Sequence, residues 1–229
     1  MNFLFDLYGT LIDIHTIEVG EDVWRPIATL LGEDASLWDA IQQEYRGFCA
    51  AKRKNEEQEL DLLTVFCEMC ARHSGSLTPE EFATAFRRIS MRRLRLFPRV
   101  KEMLQDLKAA GAGVYLLSNA QACFTNRELW EMGLTPCFDG VLLSSDVGWK
   151  KPSKQIFEVA RDKFGLSFSD CIYVGNDLRD DVLGATRVGI PSVYIPTPQS
   201  GVYEGMPEPT YTVQNHGELY DLLLGLAKQ

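Results

Sequence analysis

Residues 1–11 have the sequence MNFLFDLYGTL. Residues Asn2 to Phe5 form a short apolar run that ends abruptly at Asp6, and a Gly-Thr turn follows two residues later. An unbroken apolar run of this length predicts a strand that is buried on both faces, as strands inside parallel sheets are. Asp6 would then lie at the carboxyl end of that strand.

The chain beyond Pro98 alternates apolar strands with amphipathic helices. This alternation predicts a parallel α/β sheet, which the first strand would join. The predicted strands are 113–120 (GVYLLSNA), 141–145 (VLLSS), 171–175 (CIYVG) and 192–195 (SVYI). The predicted helices cover about 100–110, 127–132, 153–164, 178–188 and 218–227, and residues 196–209 form a long loop.

The stretch from about Val19 to Leu96 has a different texture, because its apolar residues recur every three or four positions. This spacing predicts four helices and no strand. Thr78, Pro79, Glu80 and Glu81 form a helix start, with a capping residue, a first-turn proline and acids. We therefore expect an α/β core of residues 1–14 and 97–229 and a small helical cap of residues 15–96.

Composition excludes some function classes. The chain has 229 residues, 45% of them hydrophobic, and a net charge of -9. That charge argues against nonspecific nucleic-acid binding, which needs clustered Lys and Arg. No signal peptide or membrane-spanning run is visible, so we expect a cytoplasmic protein with neither a nucleic-acid nor a membrane partner. Its six cysteines are expected to be reduced and buried, with the Cys67–Cys70 pair packed in a helix rather than binding zinc.

Polar residues follow the predicted strands at the points where they end. In an open parallel sheet, ligands bind beyond the carboxyl ends of the strands, so these residues should converge. They are Asp6 after the first strand, Ser118 and Asn119 after the second, Asp146 and residues 148–152 (GWKKP) after the third, and Asn176, Asp177, Asp180 and Asp181 after the fourth.

The chemistry of this set is coherent. Asp6 can act as a nucleophile, and the acidic cluster facing it would repel it unless a cation lies between them. Hard oxygen ligands with few carboxylates suit Mg²⁺, which would also polarise a phosphoryl group. Lys151 would stabilise the negative charges, while the Ser118 hydroxyl and the Asn119 backbone would donate hydrogen bonds to the substrate.

Four segments together resemble the motifs of haloacid dehalogenase-like hydrolases. They are residues 5–11 (FDLYGTL), Ser118-Asn119, residues 148–152 (GWKKP) and residues 174–185 (VGNDLRDDVLGA), in the family's order and spacing. The helical block resembles the family's cap, and the resemblance covers essentially the whole chain. It implies a Rossmann-like α/β core with a helical cap.

The resemblance also implies roles for single residues. Asp6 is the nucleophile, Lys151 is the catalytic lysine, and the backbone carbonyl of Tyr8 is a metal ligand. In the fourth motif it favours Asp177 and Asp181 as metal ligands, with a register through Asn176 left open. Asp180 is expected to be a surface charge.

One residue departs from the phosphatases of the family. They carry a second Asp two residues after the nucleophile as general acid and base, and this chain has Tyr8 there, as the 2-haloacid dehalogenases do. A tyrosine with an ordinary pKa near 10 is a poor acid at neutral pH. The first motif is therefore dehalogenase-like and the fourth phosphatase-like.

Three hypotheses follow. We favour a Mg²⁺-dependent phosphatase that acts on a small phosphorylated metabolite through an aspartyl-phosphate on Asp6, because the acidic fourth motif needs a cation. The alternatives are a metal-independent 2-haloacid dehalogenase using Asp6, or a binding or regulatory protein with low activity.

A basic run lies at the end of the predicted cap. Five arginines, at positions 87, 88, 92, 93 and 95, are expected to form a solvated helix face. A second interpretation places one of them at the junction of cap and core, in contact with an anionic substrate. Trp24, Trp38 and Tyr45 are expected to form the interior of the cap.

Overall fold

The computed structural model describes residues 1–228. The strands are β1 (Asn2–Phe5), β2 (Ile12–Thr16), β3 (Met91–Leu96), β4 (Gly113–Ser118), β5 (Gly140–Leu143), β6 (Cys171–Gly175), β7 (Ser192–Tyr194) and β8 (Tyr211–Thr212). The helices are α1 (Glu21–Leu30), α2 (Trp38–Lys52), α3 (Leu62–Arg72), α4 (Pro79–Ser90), α5 (Val100–Ala109), α6 (Ala122–Glu131), α7 (Ser144–Val147), α8 (Lys154–Phe164), α9 (Gly184–Arg187) and α10 (His216–Ala227).

Strand β1 lies inside a six-stranded sheet of order β5-β4-β1-β6-β7-β8, in which every neighbouring pair is parallel. Phe5, the last residue of β1, is level with Leu116 of β4 and Val174 of β6. The sheet confirms the predicted α/β fold class. It also brings the residues that follow β1, β4 and β6 to one edge.

The apolar run of β1 is explained by burial on both faces of the sheet. The side chains of Phe3, Leu4 and Phe5 are all fully buried. Phe3 and Phe5 pack in one cluster with residues of α5 and α10, such as Leu104. Leu4 packs in a separate cluster on the other face, together with Phe157 of α8. A polar residue at any of these three positions would lose its water without gaining a partner.

Helices α1 to α4 form a bundle with its own apolar interior, which supports the expected cap. Trp24 is fully buried in that interior, and Trp38 and Tyr45 pack against it, as predicted. Thr78 and Glu81 make the reciprocal hydrogen bonds of a capping box at the start of α4, which confirms the predicted helix start. The division into residues 15–96 as cap and the rest as core remains our proposal.

The expectation that the cap region contains no strand is wrong. Strand β3 pairs antiparallel with β2, and Leu94 lies opposite Ile14 there rather than in a helix. The reason is a local change of period: residues 91–96 (MRRLRL) alternate polar and apolar residues at the end, as residues 12–14 also do. Arg92, Arg93 and Arg95 therefore belong to a strand and not to a solvated helix face.

Smaller differences occur at other element ends. The strand predicted to end at Ser145 ends at Leu143, because Ser144 starts the short helix α7. The helix predicted from Leu178 starts as a π-helical turn, Leu178–Leu183, before α9. The pairing of β8 with β7 was not predicted.

All six cysteines are free, as expected for reduced thiols. Cys137 and Cys171 are buried, but Cys67 is exposed, so the expectation that all six are buried is wrong. Across residues 1–228, no helix is both long enough and apolar enough to cross a membrane.

Candidate active site

Asp6 lies just beyond β1, at the edge where the strands end. Its backbone N–H bonds to the Val174 carbonyl at 2.9 Å, so the sheet extends one residue further and orients the side chain. Carboxylate Oδ1 accepts hydrogen bonds from Lys151 Nζ at 2.7 Å and Ser118 Oγ at 3.0 Å. Oδ2 accepts one from Thr10 Oγ1 at 3.1 Å. The structure therefore brings together the three predicted catalytic residues, Asp6, Ser118 and Lys151.

Lys151 is the positive centre of the site. Its buried ammonium donates to Asp6 Oδ1 and Asp181 Oδ1, both at 2.7 Å, and to the Tyr173 hydroxyl at 2.8 Å. Burial alone would lower the pKa of Lys151, but the carboxylates of Asp181 and Asp6 outweigh it and raise this pKa well above its ordinary value. Burial raises the pKa of Asp181 to about 7, against the opposing effect of Lys151. Lys151 is thus a permanent cation between two carboxylates.

The Asn119 side chain holds Lys151 in place. Asn119 Oδ1 accepts the Lys151 N–H at 2.7 Å, and Asn119 Nδ2 donates to the Lys151 carbonyl at 3.0 Å. Nδ2 also donates to Asp180 Oδ2 at 3.0 Å. Asn119 therefore has a positioning role through its side chain, in addition to the substrate contact predicted for it. Asp180 is half-buried in this network, so the expectation of a surface charge is wrong.

Asp177 caps the helical turn that follows it. Its Oδ1 accepts the N–H groups of Arg179 at 2.9 Å and Asp180 at 2.8 Å. Its Oδ2 accepts the Tyr203 hydroxyl at 3.0 Å. Both oxygens of Asp177 thus accept hydrogen bonds, one within its own turn and the other from the loop after β7, and the residue also lines the cavity that Asp6 lines.

Asn176 is the fourth-motif residue that reaches Asp6. Thr10 Oγ1 lies 3.1 Å from Asn176 Oδ1 and 3.1 Å from Asp6 Oδ2. A hydroxyl has a single hydrogen, so it satisfies one of these two buried oxygens at a time. Gly9 leaves room for this arrangement, since a Cβ there would lie 2.5 Å from Asn176 Nδ2.

Tyr8 is tied to the junction of cap and core. Its hydroxyl donates to Glu128 of α6 in a short hydrogen bond and lies 2.9 Å from Thr125 Oγ1. Arg87 of α4 pairs with Glu128 at 2.6 Å and lies over the Tyr8 ring at 5.5 Å. Burial and the Glu128 carboxylate raise the pKa of Tyr8 further. Tyr8 is thus an even poorer acid than a free tyrosine, and one arginine of the basic run does lie at the junction.

Two adjacent cavities open on these residues. The first, of about 170 Å³, is lined by Asp6, Tyr8, Ser118, Asn119, Lys151, Asn176, Asp177, Asp180, Asp181 and Gln199. The second, of about 390 Å³, shares Asn119, Lys151 and Asp180 with the first. Arg53 of the cap and Lys150 of the core line the second cavity, which reaches the boundary between the two.

Among the predicted carboxylate ligands, Asp6 has an oxygen, Oδ2, that accepts from a hydroxyl alone, whereas each oxygen of Asp177 and Asp181 accepts an N–H hydrogen. Asp181 Oδ1 is bound by Lys151, and its Oδ2 accepts the Asp177 N–H at 2.9 Å. No three His, Cys, Asp or Glu side chains within residues 1–228 are grouped as a metal site would require. Mg²⁺ is commonly bound by only one or two carboxylates, so a group of three is not required. Suitable oxygen ligands here are Asp6 Oδ2 and Asn176 Oδ1, which compete for the one hydrogen of Thr10.

Sequence reasoning missed four residues of the site. Tyr173 lies within an apolar strand and has the pattern of a core residue, yet its hydroxyl bonds to Lys151. Thr10 has the pattern of a turn residue, and Glu128 that of a helix surface. Gln199 lies in the loop after β7, and the position of that loop at the carboxyl edge of the sheet is the one signal that could have identified it.

The chain is similar to characterised enzymes of two activities. An (S)-2-haloacid dehalogenase of Pseudomonas fluorescens is 27% identical, over 96% of this chain and 95% of that one. A ribulose-1,5-bisphosphate 5-phosphatase of Halopiger xanaduensis is also 27% identical, over 96% of this chain and 98% of that one. A glyceraldehyde 3-phosphate phosphatase of Methanothermobacter thermautotrophicus is 34% identical over a shorter region, 44% of this chain and 45% of that one.

The fold and the family agree with these similarities. The structure superposes on a HAD phosphatase from Thermococcus onnurineus with a TM-score of 0.67 and 22% identity, over 97% of each chain. The family model of the haloacid dehalogenase-like hydrolases matches residues 1–189, a range that includes Asp6, Ser118, Lys151 and the acidic fourth motif. The chain belongs to the haloacid dehalogenase-like hydrolases.

Proposed function

We propose that the protein is a Mg²⁺-assisted phosphatase that hydrolyses a small phosphorylated metabolite through an aspartyl-phosphate on Asp6. The observation that carries this proposal is the pair of oxygens, Asp6 Oδ2 and Asn176 Oδ1, that share one Thr10 hydrogen. Both oxygens would help to hold a cation, which a phosphatase of this family needs and a dehalogenase does not.

The charges around the smaller cavity support the same proposal. Four carboxylates line it, those of Asp6, Asp177, Asp180 and Asp181, against the single ammonium of Lys151. A phosphate dianion entering this space meets an excess of negative charge. Asp6, Asn176 and the Tyr8 carbonyl, which accepts no hydrogen bond from the described residues, would hold a divalent cation, and its charge would offset that excess. When bound, Mg²⁺ supplies charge neutralisation and polarisation of the phosphoryl oxygens.

The chain's own residues perform the remaining steps. The Asp6 carboxylate attacks phosphorus, a P–O bond to Asp6 forms, and the bond to the leaving oxygen breaks. Lys151 and Ser118, which already contact Asp6, hold it in place and stabilise the negative charge. Water then attacks the phosphorus, releases phosphate and regenerates Asp6. Because Glu128 holds the Tyr8 proton, the leaving alkoxide takes its proton from water.

The leaving group would occupy the larger cavity. It continues from the Asp6 cavity at Asn119, Lys151 and Asp180, and it opens towards the cap. Its lining holds four cations, Arg53, Lys150, Lys151 and Arg179, against three carboxylates, Glu56, Glu59 and Asp180. These features favour a polar, anionic metabolite over an apolar one.

The test is a panel of phosphomonoesters assayed with Mg²⁺ and with a chelator. We expect phosphate release that the chelator abolishes and that Asp6→Asn abolishes as well. Release that continues with either change would contradict the proposal. Asn176→Asp replaces the neutral oxygen by a carboxylate and should lower the Mg²⁺ concentration for half-maximal activity. The matched control is Asp170→Asn, which should leave that concentration unchanged because Asp170 is exposed and precedes β6, at the opposite edge of the sheet from Asp6.

A metal-independent 2-haloacid dehalogenase is the second candidate. The observation in its favour is that Lys151 alone already bridges the carboxylates of Asp6 and Asp181. In that reaction Asp6 attacks carbon and displaces halide. Halide release from short 2-haloacids that is unaffected by a chelator would establish this alternative. Its absence, together with chelator-sensitive phosphate release, would exclude it.

A further inference from the structure

Tyr173 carries a hydroxyl into an apolar part of the protein. The residue lies in β6, is fully buried, and packs in one cluster with Leu4 of β1 and Phe157 of α8. Its ring centre lies 5.4 Å from that of Phe157. A phenylalanine ring would fill the same space, and a buried hydroxyl is unfavourable unless it is hydrogen-bonded. What a tyrosine adds at this position is therefore the set of hydrogen bonds that its hydroxyl makes.

The direction of each of these bonds is fixed by chemistry. Lys151 Nζ lies 2.8 Å from the Tyr173 hydroxyl, and an ammonium can only donate. The hydroxyl hydrogen then goes to the Leu117 carbonyl at 2.8 Å, because a carbonyl can only accept. The Tyr173 hydroxyl thus joins the ammonium of Lys151 to β4, the strand that ends in Ser118.

This connection spans the strand that leads to the nucleophile. Strand β1 lies between β4 and β6 in the sheet, and Asp6 follows β1 directly. Asp6 Oδ1 accepts hydrogen bonds from Lys151 Nζ at 2.7 Å and from Ser118 Oγ at 3.0 Å. The Tyr173 hydroxyl is therefore a fixed point that relates the two donors of Asp6 to each other.

The surroundings offer Lys151 no substitute for this acceptor. Its other two N–H bonds go to Asp6 and Asp181, both at 2.7 Å. The Lys151 side chain is 1% exposed and Tyr173 is fully buried, so the bond between them is shielded from solvent. Without the hydroxyl, one N–H stays unpaired at a cost in free energy, or the ammonium turns and weakens its bonds to the carboxylates.

We propose that Tyr173 is a positioning residue, whose hydroxyl sets the Lys151 ammonium at the place from which it holds the Asp6 nucleophile. The effect on turnover rests on the proposed function, whereas the placement of Lys151 does not. Tyr173 is not among the residues that line the Asp6 cavity, so it acts on the reaction through Lys151. A hydrogen bond to a charged group in such a site corresponds to roughly a ten- to hundredfold change in rate.

The experiment compares two tyrosine-to-phenylalanine variants within the same sheet. Tyr173→Phe keeps the ring and removes the hydroxyl. We expect its kcat for a phosphomonoester at saturating Mg²⁺ to be roughly ten- to a hundredfold below that of the wild type. Tyr115→Phe is the matched control in β4, where the half-buried ring stacks on Phe164, and it should keep the wild-type kcat.

A second measurement follows Lys151 itself, in protein without substrate. Its ammonium should give a nitrogen-15 NMR signal with slow hydrogen exchange, identified by its loss in Lys151→Met. In Tyr173→Phe we expect this signal to shift and its hydrogens to exchange at least roughly tenfold faster. Tyr115→Phe should leave the signal unchanged. A tyrosine that served packing alone would move neither kcat nor the Lys151 signal, because phenylalanine keeps the packing.

The wild type provides a test even if Tyr173→Phe does not fold. Magnetisation transfer between the Lys151 ammonium and the Tyr173 hydroxyl hydrogens is expected, and its absence would overturn the inference. An unchanged kcat in Tyr173→Phe would overturn it as well, as would a lower kcat with an unchanged Lys151 signal. Failure of the proposed function has a different signature, namely a wild type that releases no phosphate while the Lys151 signal still shows whether Tyr173 holds the lysine.

Discussion

Replacement of Lys151 by methionine removes the cation on which the buried carboxylates of the site depend. The ammonium lies 2.7 Å from an oxygen of Asp6 and 2.7 Å from an oxygen of Asp181, and its side chain is 1% exposed. Methionine fills much the same space without a charge, so the two carboxylates remain buried without compensation. Breaking a buried ion pair by removing one partner costs about 3–5 kcal/mol of unfolding free energy.

In a chain of this length, that loss lowers Tm by roughly 6–20 °C. The pH dependence has a definite sign. Burial raises the pKa of Asp181 and Lys151 opposes that rise, so without Lys151 the folded pKa of Asp181 lies still further above its unfolded value, and the folded state holds a proton that the unfolded state releases. The variant therefore loses stability as the pH rises from the unfolded carboxyl pKa through the raised folded pKa of Asp181. Its deficit relative to wild type should be larger at pH 8 than at pH 5.

Urea unfolding at the two pH values measures this effect. The double variant Lys151→Met/Asp181→Asn should recover part of the loss, with a coupling of about 0.5–3 kcal/mol, because one uncompensated charge is gone. Lys154→Met, at an exposed position of α8, is the matched control and should change stability by no more than about 0.5 kcal/mol. A Lys151→Met protein as stable as wild type at pH 8, or a double variant no better than the single one, would refute the reasoning.

Three further predictions concern positions around the site and in the cap. Tyr8→Phe should lower the unfolding free energy by about 1–2 kcal/mol, because the Glu128 carboxylate loses a hydrogen-bond donor, and should leave kcat close to that of the wild type. A large loss of kcat with normal stability would show instead that the hydroxyl takes part in the chemistry. Gly9→Ala should lower the unfolding free energy measured in urea by at least about 1 kcal/mol and abolish turnover, because φ is 89° at Gly9 and the added Cβ would collide with Asn176. Normal turnover in this variant would contradict the close approach of Gly9 and Asn176. Burial would lower the pKa of His73, but hydrogen bonds with two glutamates outweigh it and raise this pKa. The stabilisation from His73 is therefore complete below its unfolded pKa of about 6.5 and is lost as the pH rises through its folded pKa. The difference in unfolding free energy between wild type and His73→Gln should shrink as the pH rises through the folded pKa, and a difference that stays constant with pH would exclude the pairing.

The α/β architecture follows from apolar runs and from the alternation of strand and helix patterns along the sequence. The apolar run before Asp6 predicts a buried strand, and the alternation of strands and helices after Pro98 predicts the parallel sheet that this strand joins. The structure confirms both predictions. Strand β3 was not predicted, because the helical spacing of α4 runs directly into it. Its last four residues alternate strictly, but a strand of that length gains its stability from β2, which is about 80 residues away in the sequence.

The site was predictable where it depends on topology. Because parallel strands end at one edge, the sequence pattern alone predicts that Asp6, Ser118 and Lys151 lie close together. The separate roles of Asn176 and Asp177 depend instead on the direction of each side chain in one turn. A shift of one residue in that turn would bring Asp177 to the position of Asn176 beside Asp6, and a π-helical turn follows directly after it.

Other features of the site lie beyond any sequence pattern. The pairing of Tyr8 with Glu128 joins residues 120 positions apart, and Gln199 contacts Asp13 across 186 positions. Neither residue type at these positions has a spacing that signals its partner. Such contacts arise from the packing of the cap and the last loop on the core, so they become visible in three dimensions only.

The proposed function requires Asp6 to become covalently phosphorylated during turnover. The most direct measurement is rapid acid quenching of the protein during turnover of a phosphomonoester with Mg²⁺, followed by mass spectrometry of the peptide that contains Asp6. We expect a mass increase of one phosphoryl group on Asp6, which disappears when the substrate is exhausted and is absent with chelator. Steady phosphate release with an Asp6 peptide that is never modified would contradict it.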